Sequence, residues 1–320
     1  MFDNIASGIL TMALSNTHPG ALPRLFRRNR VLIVGCGDIG QRVAALGTSA
    51  AVKTYALSSS PAKYSNLRKL GLTVAGGNLD DLATLHRLAG IAHRVLHLAS
   101  PPGQGWDDTR TAQLLSVLNQ RKAPRQLVYA STTGVYGDKA GAVCTEATPP
   151  NPLTPRAKRR AHAEQLVRQF GRATACGCTT LRVPGIYSPD RSGAQVRERL
   201  TRQTPVLVRE DDVYTNHIHA HDLARACWLA LWKGPSQRTI NVCDDSAYLM
   251  GDYYDLLADR AGLPRPPRVK RSTASTELPL QLLSFMGESR RLSNQRLKAE
   301  LGLRLRYPTV QEGWASLGAL

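Results

Sequence analysis

Acidic residues are scarce in this chain, and the place where they are missing matters more than their number. Against 42 lysines and arginines stand 24 aspartates and glutamates, a net charge of +18 over 320 residues. From Ile39 through Leu79 there is no acid at all. Such a bias suits an anionic ligand. Aromatic residues make up 6%, the basic residues are dispersed (24–30, 158–160, 265–271, Arg290 and Arg291), and no nucleic-acid motif accompanies them. A phosphate-bearing small molecule is therefore a better expectation than specific DNA recognition. No run approaches the roughly 18 apolar residues of a membrane span. Cysteine pairing of the C-x-x-C kind is also missing. The six cysteines (Cys36, Cys144, Cys176, Cys178, Cys227, Cys243) are scattered, and the close pair Cys176 and Cys178 has no nearby histidine or cysteine to complete a metal site, so reduced thiols and no metal are expected. Residues 5–14 are mildly apolar, but Asp3 stands where a signal peptide needs positive charge. Residues 1–30 thus read as a poorly ordered arm or an extra helix, and the chain as a soluble cytoplasmic protein.

What is present is a glycine turn around which the rest is organised. A hydrophobic content of 42% can bury a full core, and the length suits one large α/β domain with a smaller appendage. Residues 31–34 (V-L-I-V) have no polar interruption, as expected of a parallel strand buried on both faces. Gly35, Gly37 and Gly40 follow as G-x-G-x-x-G, with Cys36, Asp38 and Ile39 between them. The first glycine permits a tight turn, the second lets a pyrophosphate approach the backbone, and the third allows close helix packing. Ile39, Val43, Ala44 and Leu46 then continue in a helical pattern. A helix starting there offers free N–H groups and its positive end to an anion.

Strand and helix alternate onward. Residues 52–57 form a second strand ending in Ser58, Ser59, Ser60 and Pro61. An acid near this place would hydrogen-bond the ribose 2′-hydroxyl of NAD; here there are hydroxyls and Lys63, which favours NADP over NAD, although a basic surface turn has the same composition. Residues 72–75 form a third strand, after which Asn78 and Leu79 are positioned to border an adenine ring. Asp80 and Asp81 start a helix through Leu82, Leu85 and Leu88. Residues 95–98 form a fourth strand whose turn, Ala99 and Ser100, can press backbone against a ligand. Residues 111–118 are helical and 126–130 form a fifth strand. The alternation predicts a doubly wound parallel sheet.

Several further blocks, in order, resemble one family. V-Y-A-S-T-T-G-V-Y-G (128–137), Ala163-Glu164, L-R-V-P-G-I-Y-S-P-D-R (181–191), N-H-I-H-A-H-D-L-A-R-A (216–226) and N-V-C-D-D (241–245) look like those of the extended short-chain dehydrogenase/reductases, which include nucleotide-sugar epimerases and dehydratases. The resemblance spans about residues 31–314. It implies a Rossmann-type dinucleotide domain over 31–188, with returns at about 215–245, and a C-terminal substrate domain made of 189–214 and 246–320. It also implies a small-molecule substrate, a monomer or homodimer, and cofactor contacts from Ser131, Pro184 and Ile186.

The family's chemistry uses a tyrosine and a lysine four residues later on one helix, with a Ser or Thr at the end of the fifth strand. The lysine lowers the phenol pKa from about 10 so that the tyrosine can exchange a proton near neutral pH. Thr132 matches the Ser/Thr place. Counting back from Glu164, however, Arg156 stands where tyrosine is expected and Arg160 where lysine is expected. No tyrosine lies between Gly137 and Tyr187, and arginine stays protonated. Three readings follow: an atypical NADP(H)-linked enzyme with Arg156 as a clamp on an oxyanion and Tyr136 or water handling the proton; a catalytically silent dinucleotide-binding sensor; or a nucleic-acid scaffold.

His217, His219 and His221 alternate, as one face of a strand would, but in I-H-A-H-D-L-A they resemble the family's loop into a helix, with Asp222 capping residues 223–231. Residues 249–261 read as an amphipathic helix with Tyr253, Leu256 and Leu257 in a core. Ser293 is expected to cap a helix that ends before Gly302. Arg290 and Arg291, just ahead, could equally meet an anionic substrate or form a solvated face.

Overall fold

Val31, Leu32, Ile33 and Val34 are fully buried, and alternate residues of the run enter different cores. Val31 and Ile33 pack with Val43, Ala44, Cys227 and Leu231, while Leu32 and Val34 pack with Leu85, Leu114, Val117 and Val167. An uninterrupted apolar strand meets this arrangement when helices cover both sheet faces. The structure, a computed structural model, describes residues 28–47, 52–278, 283 and 286–315. The expected N-terminal arm, apart from residues 28–30, lies outside the described residues.

In chain order the elements are β1 (Asn29–Val34), α1 (Asp38–Leu46), β2 (Val52–Ser58), α2 (Tyr64–Lys69), β3 (Thr73–Gly76), β4 (Arg94–His97), α3 (Thr109–Leu118), β5 (Gln126–Thr132), β6 (Val143–Cys144), α4 (Pro155–Thr174) and β7 (Gly177–Val183). After them come β8 (Gly185–Tyr187), α5 (Pro189–Thr201), β9 (Val206–Leu207), β10 (Tyr214–Thr215), β11 (His217–His219), α6 (Ala220–Lys233), β12 (Arg238–Asn241), β13 (Tyr248–Leu249) and α7 (Met250–Ala261). A seven-stranded sheet has the order β3-β2-β1-β4-β5-β7-β12, with every neighbouring pair parallel. Helices α1 and α6 pack together on one face, α3 and α4 on the other. This is the doubly wound Rossmann-type α/β fold. Its strand order turns back between β1 and β4, which opens a crevice at the carboxyl ends of the strands.

The remaining segments build a smaller region over that crevice. Two strand pairs, β8 with β11 and β10 with β13, stand apart from the seven-stranded sheet. Tyr187, Leu200, Tyr253, Leu257 and Trp314 form one of its cores, and Leu207, Val213, Met250, Ala274 and Leu278 another. Tyr253 and Leu257 are core residues, as expected, with Leu256 packed at the edge.

Three local expectations change. Residues Leu82–Leu88 form a 3₁₀ helix rather than an α-helix; the Asp81 carboxylate accepts from Ala83 N at 3.1 Å, whereas Asp80 turns to another partner. Asp222 is not a cap. Strand β11 runs directly into α6, so His219 occupies the cap and its Nδ1 accepts from His221 N at 3.2 Å. The buried Asp222 carboxylate instead accepts the backbone N–H groups of Arg306 and Tyr307, at 2.9 and 2.8 Å, pinning the C-terminal segment. Ser293 lies one residue ahead of the cap of the short helix Gln295–Ala299; the cap is Asn294, which makes no capping bond and donates to Asp245 Oδ1 at 2.8 Å.

Candidate active site

Helix α4 supplies the centre of the site. Thr154 caps it, its Oγ1 accepting from Ala157 N at 3.2 Å, and Pro155 follows at the first helical position where no N–H is needed. Ala157, Ala163, Glu164 and Val167 face the core. Arg156 and Arg160, spaced by four residues, lie on the same stripe and line one cleft of about 550 Å³.

Thr132, Gly134, Pro184, Ile186, Arg191, Arg199, Tyr254, Glu288 and Arg290 complete that cleft. Thr132 ends β5 and its Oγ1 accepts from Gly134 N at 3.3 Å. Arg160 is held in place: its Nη1 donates to the carbonyl oxygen of Ala130 at 2.8 Å, to Tyr129 Oη at 3.1 Å and to the carbonyl oxygen of Ala99 at 3.3 Å. It thereby bolts α4 to the ends of β4 and β5. Desolvation in the cleft, then the neighbouring Arg160, draws the pKa of Arg156 down from its ordinary value; a guanidinium remains a cation at neutral pH even so.

The smaller region adds more positive charge. Arg191 donates to the carbonyl oxygen of Ile186 at 2.8 Å and pairs with Asp38 at 3.0 Å, joining α5 to the start of α1. Arg199 lies 3.8 Å above the Tyr254 ring and donates to its hydroxyl at 2.6 Å. Arg290 pairs with Glu288 at 2.7 Å. Buried Nε and Nη2 of Arg199, Nε of Arg290 and Oε1 of Glu288 have no hydrogen-bond partner among the described residues.

A second groove, about 390 Å³, follows the carboxyl ends of β1, β2, β3 and β4. It brings together Gly35, Cys36, Gly37, Ser58, Ser59, Ser60, Lys63, Asn78, Leu79 and Ala99, which are widely separated in the chain. The three glycines differ in what surrounds them. Gly35 has φ +85°, and a Cβ there would lie 2.5 Å from Ala99 N; a Cβ on Gly40 would meet Gly35 O and Ile33 Cγ2 at 3.2 Å; one on Gly37 would meet nothing within 4 Å. Gly35 is thus required by packing and Gly40 sits tight against its neighbours, whereas Gly37 faces open space that a side chain would fill. Gly37 also caps α1, whose first residues are Asp38 and Ile39. This cradle, with unencumbered backbone at a helix start, fits a dinucleotide pyrophosphate. Burial pushes the Cys36 thiol up to about 11, so it lies here as an inert neutral group. Ser100 does not line the groove; its carbonyl oxygen accepts from Nη1 of the lining residue Arg110 at 3.2 Å.

Asp38, Ile39, Gly40 and Ser100 border the grooves without lining them, and Tyr136 and Ser131 are placed elsewhere. Tyr136 is fully buried; its hydroxyl donates to Asn241 Oδ1 at 2.8 Å, the Arg182 guanidinium lies 4.6 Å over its ring, and burial raises its pKa. It lines neither groove, so it cannot handle a substrate proton. Ser131 is buried as well, donating to Glu164 Oε1 at 2.6 Å, with Arg182 gripping the same carboxylate at 3.0 and 2.7 Å. It fastens β5 to α4 from inside and lines neither groove. Conversely, Arg110, Arg191, Arg199, Tyr254 and Glu288 were not singled out by sequence reasoning. Arg191 and Arg199, about two helical turns apart on α5, carried the one available signal. Among the described residues no cluster of three or more His, Cys, Asp or Glu could hold a metal ion, and no helix is long and apolar enough to cross a membrane.

The architecture is shared with several solved structures. A conserved protein of unknown function from Silicibacter pomeroyi is 26% identical, with a TM-score of 0.74 over 89% of this chain and 96% of that one. A UDP-glucose 4-epimerase from Thermus thermophilus, solved in complex with NAD, is 24% identical, with a TM-score of 0.71 over 89% and 96%. A dTDP-glucose 4,6-dehydratase from Bacillus anthracis, also in complex with NAD, is 16% identical, with a TM-score of 0.72 over 89% and 94%. No curated protein matches the chain by sequence. The model of the NAD dependent epimerase/dehydratase family matches residues 31–243, from β1 through the end of the sheet and including both grooves' strand ends, and the chain belongs to that family, within the extended short-chain dehydrogenase/reductases.

Proposed function

We propose that the chain is an atypical NADP(H)-linked oxidoreductase or epimerase that acts on a small anionic or sugar-like molecule. The observation that carries this reading is the charge of the cleft. Arg156, Arg160, Arg191, Arg199 and Arg290 line it, with Glu288 as the sole carboxylate among the lining residues. Guanidinium groups suit carboxylate and phosphate, which they bind through two parallel hydrogen bonds.

In this reading Gly35, Cys36 and Gly37 hold the dinucleotide pyrophosphate, Asn78 and Leu79 border the adenine, and Ser58, Ser59, Ser60 and Lys63 receive a 2′-phosphate. Pro184 and Ile186 flank the nicotinamide side of the cleft. When bound, the dinucleotide supplies hydride transfer. Arg156 binds and stabilises negative charge on the substrate oxygen as it develops. Thr132 positions the same oxygen through its hydroxyl. Arg160 keeps a fixed cation in the cleft, but neither arginine gives up a proton at physiological pH, so the proton comes from water.

The missing proton relay favours one alternative, a catalytically silent NADP(H)-binding sensor. Single-turnover mixing separates the two. With protein and NADPH at equal concentration, carbonyl compounds bearing a carboxylate or phosphate should oxidise the cofactor in the natural protein and fail to do so in Arg156→Ala. Tight NADPH binding without oxidation across the panel would support the sensor.

A further inference from the structure

The end of the sheet away from both grooves holds a larger cavity, about 650 Å³, lined by Arg30, His93, Lys122 and Arg125 together with small and amide side chains. Arg30 is in β1, His93 immediately precedes β4, and Lys122 and Arg125 lie in the connection from α3 to β5. Strands β1, β4 and β5 are adjacent, so their amino ends bring the three cations and the imidazole together. Backbone bonds fix the arrangement: His93 N donates to the Arg30 carbonyl oxygen at 2.9 Å, and Arg125 N donates to that of His93 at 2.7 Å. Arg30 N donates to His93 Nδ1 at 3.3 Å. Arg94 adds charge but is committed elsewhere, to the carbonyl oxygen of Leu231 at 2.8 Å, to Asn29 Oδ1 at 3.1 Å and to the Trp232 ring at 4.0 Å.

Among the described residues no Asp or Glu lines this cavity. Cations gathered in a concave site without a counter-charge repel one another and attract an anion. The volume lies within the range of about 300–1,000 Å³ that holds small ligands. Among the described residues no Phe, Tyr or Trp lines it either, so these residues offer none of the stacking platforms that hold single-stranded nucleic acid.

We propose that this cavity is a second anion site that takes a small polyphosphate, of the pyrophosphate or nucleotide-tail kind, at the opposite end of the sheet from the dinucleotide groove. The two sites are separated by the length of β1, roughly 20 Å at about 3.3 Å per residue. That is more than twice the Debye length of about 8 Å at physiological salt, so the occupants do not interact through solvent.

His93 is the built-in reporter. Desolvation, then Arg30, Arg125, Arg94 and Lys122, hold its imidazole below the ordinary range. An anion seated among those cations cancels their field and lets the ring take a proton at higher pH. The experiment is a titration of the full-length protein with inorganic pyrophosphate, followed by nitrogen-edited imidazole spectra in which His93→Gln identifies the His93 signal. The His93 pKa should rise saturably with one equivalent bound. Lys122→Ser and Arg125→Ser, both exposed and outside the catalytic cleft, should each weaken pyrophosphate at least fivefold, while Gly37→Val leaves the His93 response unchanged. A silent His93 signal, or an undiminished response in the Lys122→Ser/Arg125→Ser double variant, would overturn the proposal. So would binding of a single-stranded oligonucleotide with no response to pyrophosphate, which would make this face a nucleic-acid surface.

Discussion

Arg110 grips both carboxylate oxygens of Asp80, with Nε 2.7 Å from Oδ1 and Nη2 2.6 Å from Oδ2. Asp80 is the one acid among the described residues that line the dinucleotide groove, and its bond to Arg110 holds its pKa below the usual carboxylate range. The groove is thereby relieved of free negative charge.

NADPH should therefore bind more tightly than NADH. Arg110→Ala should narrow the preference by roughly three- to tenfold, because the Asp80 carboxylate loses its partner in a solvent-screened site. Fluorescence titration with the two reduced cofactors measures this, and equal affinities in the natural protein would refute it.

Substitutions of the glycine turn should divide by cause. Gly37→Val should abolish dinucleotide binding with little change in stability, since a Cβ there meets nothing within 4 Å. Gly35→Val should destabilise the fold itself, because the added atom would collide with Ala99 backbone at 2.5 Å and φ is +85°. Urea denaturation beside cofactor titration distinguishes the two. Normal affinity in Gly37→Val would make the turn merely structural.

Arg156 can stabilise charge but cannot titrate. Any activity should lack a pH limb assignable to a lowered phenol pKa, and Arg156→Lys should lose at least tenfold in rate because the planar fork is gone while the charge stays. Arg156→Tyr with Arg160→Lys should gain slow carbonyl reduction on a generic substrate panel. A tyrosine-like pH profile together with an unaffected Arg156→Ala rate would put the active site elsewhere.

Stability should peak near pH 6.5. Burial pushes His97 and His217 from 6.5 down to about 3, and His219 to about 4. Below pH 6.5 the unfolded chain takes up protons that the folded chain refuses, so each imidazole removes about 1.4 kcal/mol per pH unit. Asp244 acts in the opposite sense: burial raises its carboxyl from 3.8 to about 8, and the proton it holds when folded is lost as pH rises. Above pH 6.5 the imidazole effects end while that of Asp244 continues, and below it the imidazoles outweigh it. Urea midpoints at pH 5.5, 6.5 and 8 test this; a steady rise across the series would contradict it.

The sequence made the glycine turn readable because strand, turn and helix start are local: each depends on residues within ten positions of one another. The pair Arg156 and Arg160 was legible only through the family resemblance, by counting back from Glu164; the spacing of four then puts both side chains on one helical stripe. Adjacent positions on β5 were harder. Thr132 reaches the cleft and Ser131 the buried Glu164, because consecutive strand residues point to opposite sides, and a family block spanning both does not say which side is open.

Composition and pattern by themselves determined a doubly wound parallel sheet, a dinucleotide groove after β1 and an acid-poor segment beside it. Only the tertiary structure decided that Tyr136 is sealed against Asn241 on β12, that Arg110 neutralises Asp80, and that Arg199, Glu288 and Arg290 converge on the two arginines of α4. These relationships join residues tens to more than a hundred positions apart. No local propensity encodes them; they follow from how the sheet order and the smaller region close over the strand ends.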